Sequence, residues 1–128
     1  MNAAPVSLSK ITQIAVVAHD VDRATAFYRD VLGMKFLFAA PPGLAFFDAG
    51  GVRLMISPPT PEHDHPGSIL YFDVADIVAA HTGLEVHGVA FASPPHRIAV
   101  MGTQELWLCE FKDSEGNPLA LMAMRPVA

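Results

Sequence analysis

Cysteine is almost missing: Cys109 is the single thiol in 128 residues. One cysteine excludes an intrachain disulfide, and a chain without disulfides is expected in the cytoplasm. Charge is scarce as well. Only 16% of residues are Asp, Glu, Lys or Arg, and 8 basic against 13 acidic residues leave a net charge of −5. No Lys/Arg cluster interrupts that balance, so the electrostatic footprint of a nucleic-acid partner is absent. No apolar run approaches the roughly 18 residues that span a bilayer. The opening "MNAAPVSLSK" lacks the basic start and long apolar stretch of a secretion signal. Neither membrane nor export is expected.

Apolar residues, by contrast, are plentiful. They make up 52% of the chain, and the mean hydropathy is +0.34. That is high for a small chain standing alone, and it predicts that a partner subunit covers part of the surface. The length suits one domain with a real core.

The order of elements is legible in the punctuation. "ITQIAVVA" (11–18) reads as a buried strand carrying one amide, Gln13. Asp20 then offers an N-cap, and Ala24, Phe27, Tyr28 and Val31 fall on one helical face, closed by Gly33. "KFLFA" (35–39), "LAFFDA" (44–49) and "VRLMIS" (52–57) read as strands separated by "PPG" and "GG". The segment 58–67, rich in proline and polar groups, reads as a linker. A second round follows: strand 68–74, N-cap Asp76, a helical stripe Ile77, Ala80 and Leu84, then extended segments 89–93, 96–100, 105–112 and 118–124. "DSEG" (113–116) reads as the turn before the last strand.

The two rounds superpose. An offset of 56 brings Asp20 onto Asp76, Ala24 onto Ala80 and Gln13 onto Ile69. Near the ends of the halves an offset of 65 brings Gly51 onto Gly116, Leu54 onto Leu119 and Met55 onto Ala120. A βαβββ unit used twice, about 10–57 and 68–124, is the predicted architecture, with an insertion in the second copy.

Several side chains carry candidate chemistry. Glu62, His63, Asp64 and His65 crowd metal-capable groups into four residues, a spacing that also suits a solvated linker. His96 opens a second-half strand and titrates near neutrality, so with Glu105 it is a candidate acid/base pair. Cys109 has no base nearby in sequence and reads as a buried structural thiol. Arg53 and Ser57 share strand parity with Met55, Tyr71 with Ile69, and Met122 with Ala120. With Trp107 these would line a mostly apolar pocket holding a few polar anchors.

At this point the residues resemble a known superfamily. "IAVVAHDVDRATAFYRDVLGMKF", with its helix ending "FYRDVLGM", is similar to the opening of the vicinal-oxygen-chelate proteins: glyoxalase I, bleomycin-resistance proteins and extradiol dioxygenases. "FKDSEGNPLALM" resembles their closing turn and strand, with Ser114 where proline is usual. "FFDAGGVRLMIS" and "SILYFDVADI" resemble the strands between. The resemblance covers about residues 10 to 124. It implies an α+β fold in which paired modules curl into a cup of mixed sheet, commonly in homodimers whose cavities draw on both chains.

The resemblance also implies where a divalent metal would sit. Carried over residue by residue, its four ligand positions fall on Gln13, Met55, Ile69 and Ala120. Glutamine serves at the first position in some glyoxalases. Methionine, isoleucine and alanine offer no hard donor at the others. The expectation is a cup without metal or other cofactor that binds a small organic molecule through Gln13, Arg53, Met55, Ser57, Ile69, Tyr71, Trp107, Ala120 and Met122. The alternative is a metal-dependent lyase, isomerase or dioxygenase of the same superfamily with its metal relocated, drawing on His19, His96, Glu105 or Glu110.

Overall fold

The computed structural model of the chain describes residues 6, 8–65 and 67–127. The opening residues and Pro66, on which the leader and linker expectations partly rest, lie outside the described residues.

Each half builds a four-stranded sheet with the same plan. The first contains β1 (Gln13–Val17), α1 (Val21–Ala26), β2 (Lys35–Ala40), β3 (Leu44–Ala49) and β4 (Val52–Ser57), in the order β1-β4-β3-β2. The second contains β5 (Leu70–Asp73), α2 (Ile77–Val86), β6 (His96–Met101), β7 (Gln104–Lys112) and β8 (Pro118–Pro126), in the order β5-β8-β7-β6. In both, the first and last strands are parallel and the other pairs antiparallel. The register carries the duplication down to single residues. Ala15 faces Met55 in the first sheet, and Tyr71 faces Ala120 in the second, the same pair moved by the two offsets. Both second strands also carry an irregularity, at Phe36/Phe38 and at Arg97/Ala99.

Both helices start as their sequence predicts. Asp20 accepts from the backbone N–H of Arg23 at 2.9 Å, and Asp76 from that of Ala79 at 3.1 Å. Beyond Ala26 the first helix widens into a π turn, Phe27–Val31, in which the Leu32 N–H reaches back five residues to the Phe27 carbonyl. Ala24 and Tyr28 are wholly buried while Phe27 and Val31 are only half-buried, because the wider turn rotates the stripe. Gly33 ends the helix with φ near +70°, a conformation that costs a side chain little only when there is none.

One core joins the halves. Val16, Tyr28, Phe47, Leu54 and Ile56 pack in the same cluster as Ile77, Cys109, Phe111, Leu119 and Leu121. The strand residues among them lie on one face of each sheet, the inner face, and Tyr28 and Ile77 reach it from the helices. Three buried apolar side chains, Phe46, Leu108 and Ala120, fall outside that cluster. They belong to the opposite, open faces.

Two expected elements differ. Residues 89–93 form no strand; only Phe91 bridges to Phe111. The linker is not merely solvated. Thr60 and His63 bridge across a tight turn, and His19 Nε2 meets Asp64 Oδ1 at 2.9 Å, which folds the segment back toward the first sheet. No helix among the described residues is long and apolar enough to cross a membrane.

Candidate functional site: the open face of the first sheet

Strand alternation decides which side chains meet. Cross-strand partners share a face, so Gln13, Ala15 and Val17 on β1 stand beside Arg53, Met55 and Ser57 on β4, and Met55 beside Phe46 on β3. Leu54 and Ile56 turn the other way, into the core. The expected grouping of Gln13, Arg53, Met55 and Ser57 is present in the structure.

Their contacts revise what Gln13 does. Its Oε1 accepts a hydrogen bond from Arg53 Nε at 2.8 Å, and its Nε2 points to Met55 Sδ at 3.7 Å. One acceptor site and one donor of this amide are thus engaged by neighbours, which leaves it a second of each. The Arg53 guanidinium in turn lies 5.2 Å from the centroid of the Phe46 ring, and Phe46 stacks on Phe38 with centroids 4.6 Å apart.

Toward the other end of this face lies a cavity of about 440 Å³. Met55, Leu44 and Val17 form its apolar floor; Ser57, Thr60 and His63 supply polar groups. His63 and His65 arrive from the folded-back linker, a contribution that sequence spacing alone does not reveal. The cavity is lined wholly by residues between 15 and 67. The second sheet does not contribute to it, so Met55 does not share this cavity with Ile69 or Ala120, and Gln13 lies outside it too.

On the second sheet, Tyr71, Ala120 and Glu110 form one row across β5, β8 and β7, and Met122 and Leu108 lie in the next. Ile69 precedes β5 and is 40% exposed; Tyr71 is 48% exposed; Ala120 is wholly buried beneath its neighbours. Trp107 does not join this face. It pairs with Ala123, a core residue, and packs against the core from the inner side, with Arg125 4.5 Å over its ring.

His96 and Glu105 are also separated. His96 pairs with Leu108 on the open face, and its Nδ1 contacts the Pro94 carbonyl oxygen at 2.9 Å. Glu105 lies on the inner side with Trp107, held by Arg97 at 2.9 Å, which lowers its pKa. Opposite faces of a sheet cannot serve one substrate, so the proposed acid/base pair is corrected. Cys109 is buried, and desolvation pushes its thiol up to about 11.

The four inherited ligand positions do not fit a divalent ion. The one oxygen among them, Gln13 Oε1, is occupied by a guanidinium whose charge opposes a cation. Among the described residues, no three His, Cys, Asp or Glu side chains gather as a metal site.

The family signature near residue 113 has a different task. Asp113, 7% exposed, accepts from the Tyr28 hydroxyl at 2.7 Å and from Asn117 Nδ2 and the backbone N–H groups of Glu115 and Asn117, each at 2.8 Å. Asn117 also donates to the Val17 carbonyl at 2.9 Å, and Glu115 binds Arg23 at 2.7 and 3.0 Å. Arg23 holds the Glu115 carboxyl down to about 2. This turn ties the end of the second half to the first helix.

Paired βαβββ units with cup-side positions at Gln13, Met55, Ile69 and Ala120 define a class: the vicinal-oxygen-chelate fold. A family model described as the Glyoxalase/Bleomycin resistance protein/Dioxygenase superfamily matches residues 10–121, and the chain belongs to that superfamily. No curated protein matches it significantly by sequence. Solved structures do. A lactoylglutathione lyase from Agrobacterium tumefaciens is 25% identical, with a TM-score of 0.73 over 91% of this chain and 94% of that one. A superfamily member from Sphaerobacter thermophilus is 19% identical, with a TM-score of 0.78 over 91% and 98%. The antibiotic-binding protein TnmS3 from a Streptomyces species is 22% identical, with a TM-score of 0.73 over 96% and 100%.

Proposed function

We propose that this protein binds a small organic molecule on the open face of the first sheet, without a metal ion at the superfamily position. The observation that carries this reading is the state of Gln13. Its oxygen is engaged by Arg53, and the remaining positions hold Met55, Ile69 and Ala120. The cavity over Met55, apolar below with polar groups at its rim, has the character of a ligand pocket. The likeness to an antibiotic-binding protein agrees with capture without chemistry.

In this reading two copies pair, so that the open face of each first sheet meets the second sheet of its partner. Gln13, Arg53, Met55 and Ser57 then form one wall. Ile69, Tyr71, Ala120 and Met122 of the other copy form the opposite wall. Exposed apolar side chains on these faces, Phe38 at 45% and Met124 at 43%, support such a pairing.

Metal analysis after chelator washing and reloading with zinc, nickel, manganese and iron tests the central point. Less than a tenth of an equivalent of each is expected at the cup, by the donor argument above. A stoichiometric ion bound there would favour the metal-dependent lyase, isomerase or dioxygenase instead. Light scattering at tens of micromolar should give a dimer; a monomer would remove the second wall.

A further inference from the structure

Lys35, Asp48, Arg53 and Gln13 stand in one row across the open face of the first sheet, and among the described residues no carboxylate comes within ion-pair distance of Arg53. Arg23, Arg29 and Arg97 each meet a carboxylate at 2.7 to 2.9 Å. Arg125 lies on Trp107. Arg53 differs. Among the described residues its partner is the neutral amide of Gln13, which fixes Nε and leaves the two terminal nitrogens without a hydrogen bond. A neutral partner orients a guanidinium without cancelling its charge. The terminal nitrogens form a planar fork that matches a carboxylate bidentately.

Next to that fork stands an aromatic pair, Phe46 buried and Phe38 exposed over it. Phe38 and Phe46 stack with an interplanar angle of 26°, and the guanidinium sits against the Phe46 ring. Phe38 is nearly half exposed at the edge strand. Met55, paired with Phe46, connects this platform to the cavity beyond. Arginine, ring and thioether together suit a flat conjugated body with an anionic end. The net charge of −5 repels anions at long range, so an anion must be held by a local, oriented cation.

Building on the small-molecule reading above, we propose that Arg53 is the anchor for the anionic group of the ligand, that Gln13 is the positioning residue for Arg53, and that the ligand class is a planar aromatic carboxylate. The ring lies along Phe38, Phe46 and Met55, and the carboxylate meets the guanidinium fork.

A matched pair of probes tests this in the full-length protein: 2-naphthoate and the neutral 2-naphthamide, titrated by calorimetry. Wild type should bind the carboxylate roughly tenfold more tightly, the discrimination expected of one charge-assisted contact. Arg53→Gln should bring the ratio of the two affinities to about one. Arg53→Lys should keep part of the preference, because charge remains and the fork is lost. Gln13→Met should reduce the ratio to an intermediate value at an unchanged melting temperature. Equal binding of both probes by wild type, or an unchanged ratio in Arg53→Gln, overturns the proposal while the small-molecule reading stands. If neither probe binds, the planar aromatic carboxylate class falls as well, and the small-molecule reading rests on its own test.

Discussion

The hydroxyl of Tyr28 and the carboxylate of Asp113 are 85 positions apart in sequence and 2.7 Å apart in the fold. The ring is wholly buried and stands in a tilted contact with Phe47. Burial and the Asp113 charge both disfavour the phenolate, raising its pKa. Tyr28→Phe keeps the packing and removes one of four donors to a buried carboxylate. A loss of about 1–3 kcal/mol in denaturant unfolding is expected; no change would mean that Asp113 is satisfied without the hydroxyl. Cys109 makes the opposite case, a group whose reactivity is suppressed. Wholly buried and with its pKa raised to about 11, it should react with a disulfide reagent at pH 8 only after denaturant is added. Fast labelling of the native chain would contradict its burial. Tyr28 is legible in sequence as part of the helical stripe, and Cys109 as an inert thiol. The Tyr28 partner is not legible, because side-chain spacing says nothing about a contact spanning most of the chain. Gln13 is a similar case: its oddity in an apolar strand is visible, but Arg53 as its partner depends on the parallel pairing of β1 with β4.

At the level of elements, the sequence yields the helix caps and most of the order of elements along the chain, because these rest on local rules of 3.6 and 2.0 residue periods. It misplaces Trp107 and Glu105 because their face depends on the register between β7 and β8, set across the 113–117 turn. That turn is more than a connection. Glu115, its side chain 3% exposed, receives Arg23 in a bidentate bond. A carboxyl whose folded pKa is lowered contributes stability that is complete above its ordinary pKa and is lost as pH falls through the folded value. With the folded pKa at about 2, the window runs from near the ordinary carboxylate range down to there. Arg23→Met should therefore be less stable than wild type at pH 7, and the gap should narrow steadily as pH falls from 5 toward 2. Urea denaturation at a series of pH values measures it. A gap that stays constant across that window would assign the loss to packing of the arginine stem instead.

For the whole molecule, the question is whether two sheets with separate hydrogen-bonding make two folding units. The sheets share no strand pairing, which by itself would allow each half to melt alone. The core argues otherwise. Leu54 of the first sheet and Leu119 of the second belong to one cluster, and Tyr28–Asp113, Asn117–Val17 and Arg23–Glu115 cross between the halves. Each half, at roughly 50 residues, is in the size range where a lone core is marginal. The halves should therefore unfold together. The single tryptophan provides the test, because Trp107 stands on the second sheet and packs against the shared core from that side. Leu54→Ala removes buried volume in the first sheet and should cost about 2–5 kcal/mol. If the core is one unit, the Trp107 fluorescence transition in that variant shifts by the same amount as the loss of backbone ellipticity, and the two curves still coincide. If the Trp107 transition stays where it is in wild type while ellipticity falls early, the first half unfolds alone, and the shared cluster is a contact between two independent units.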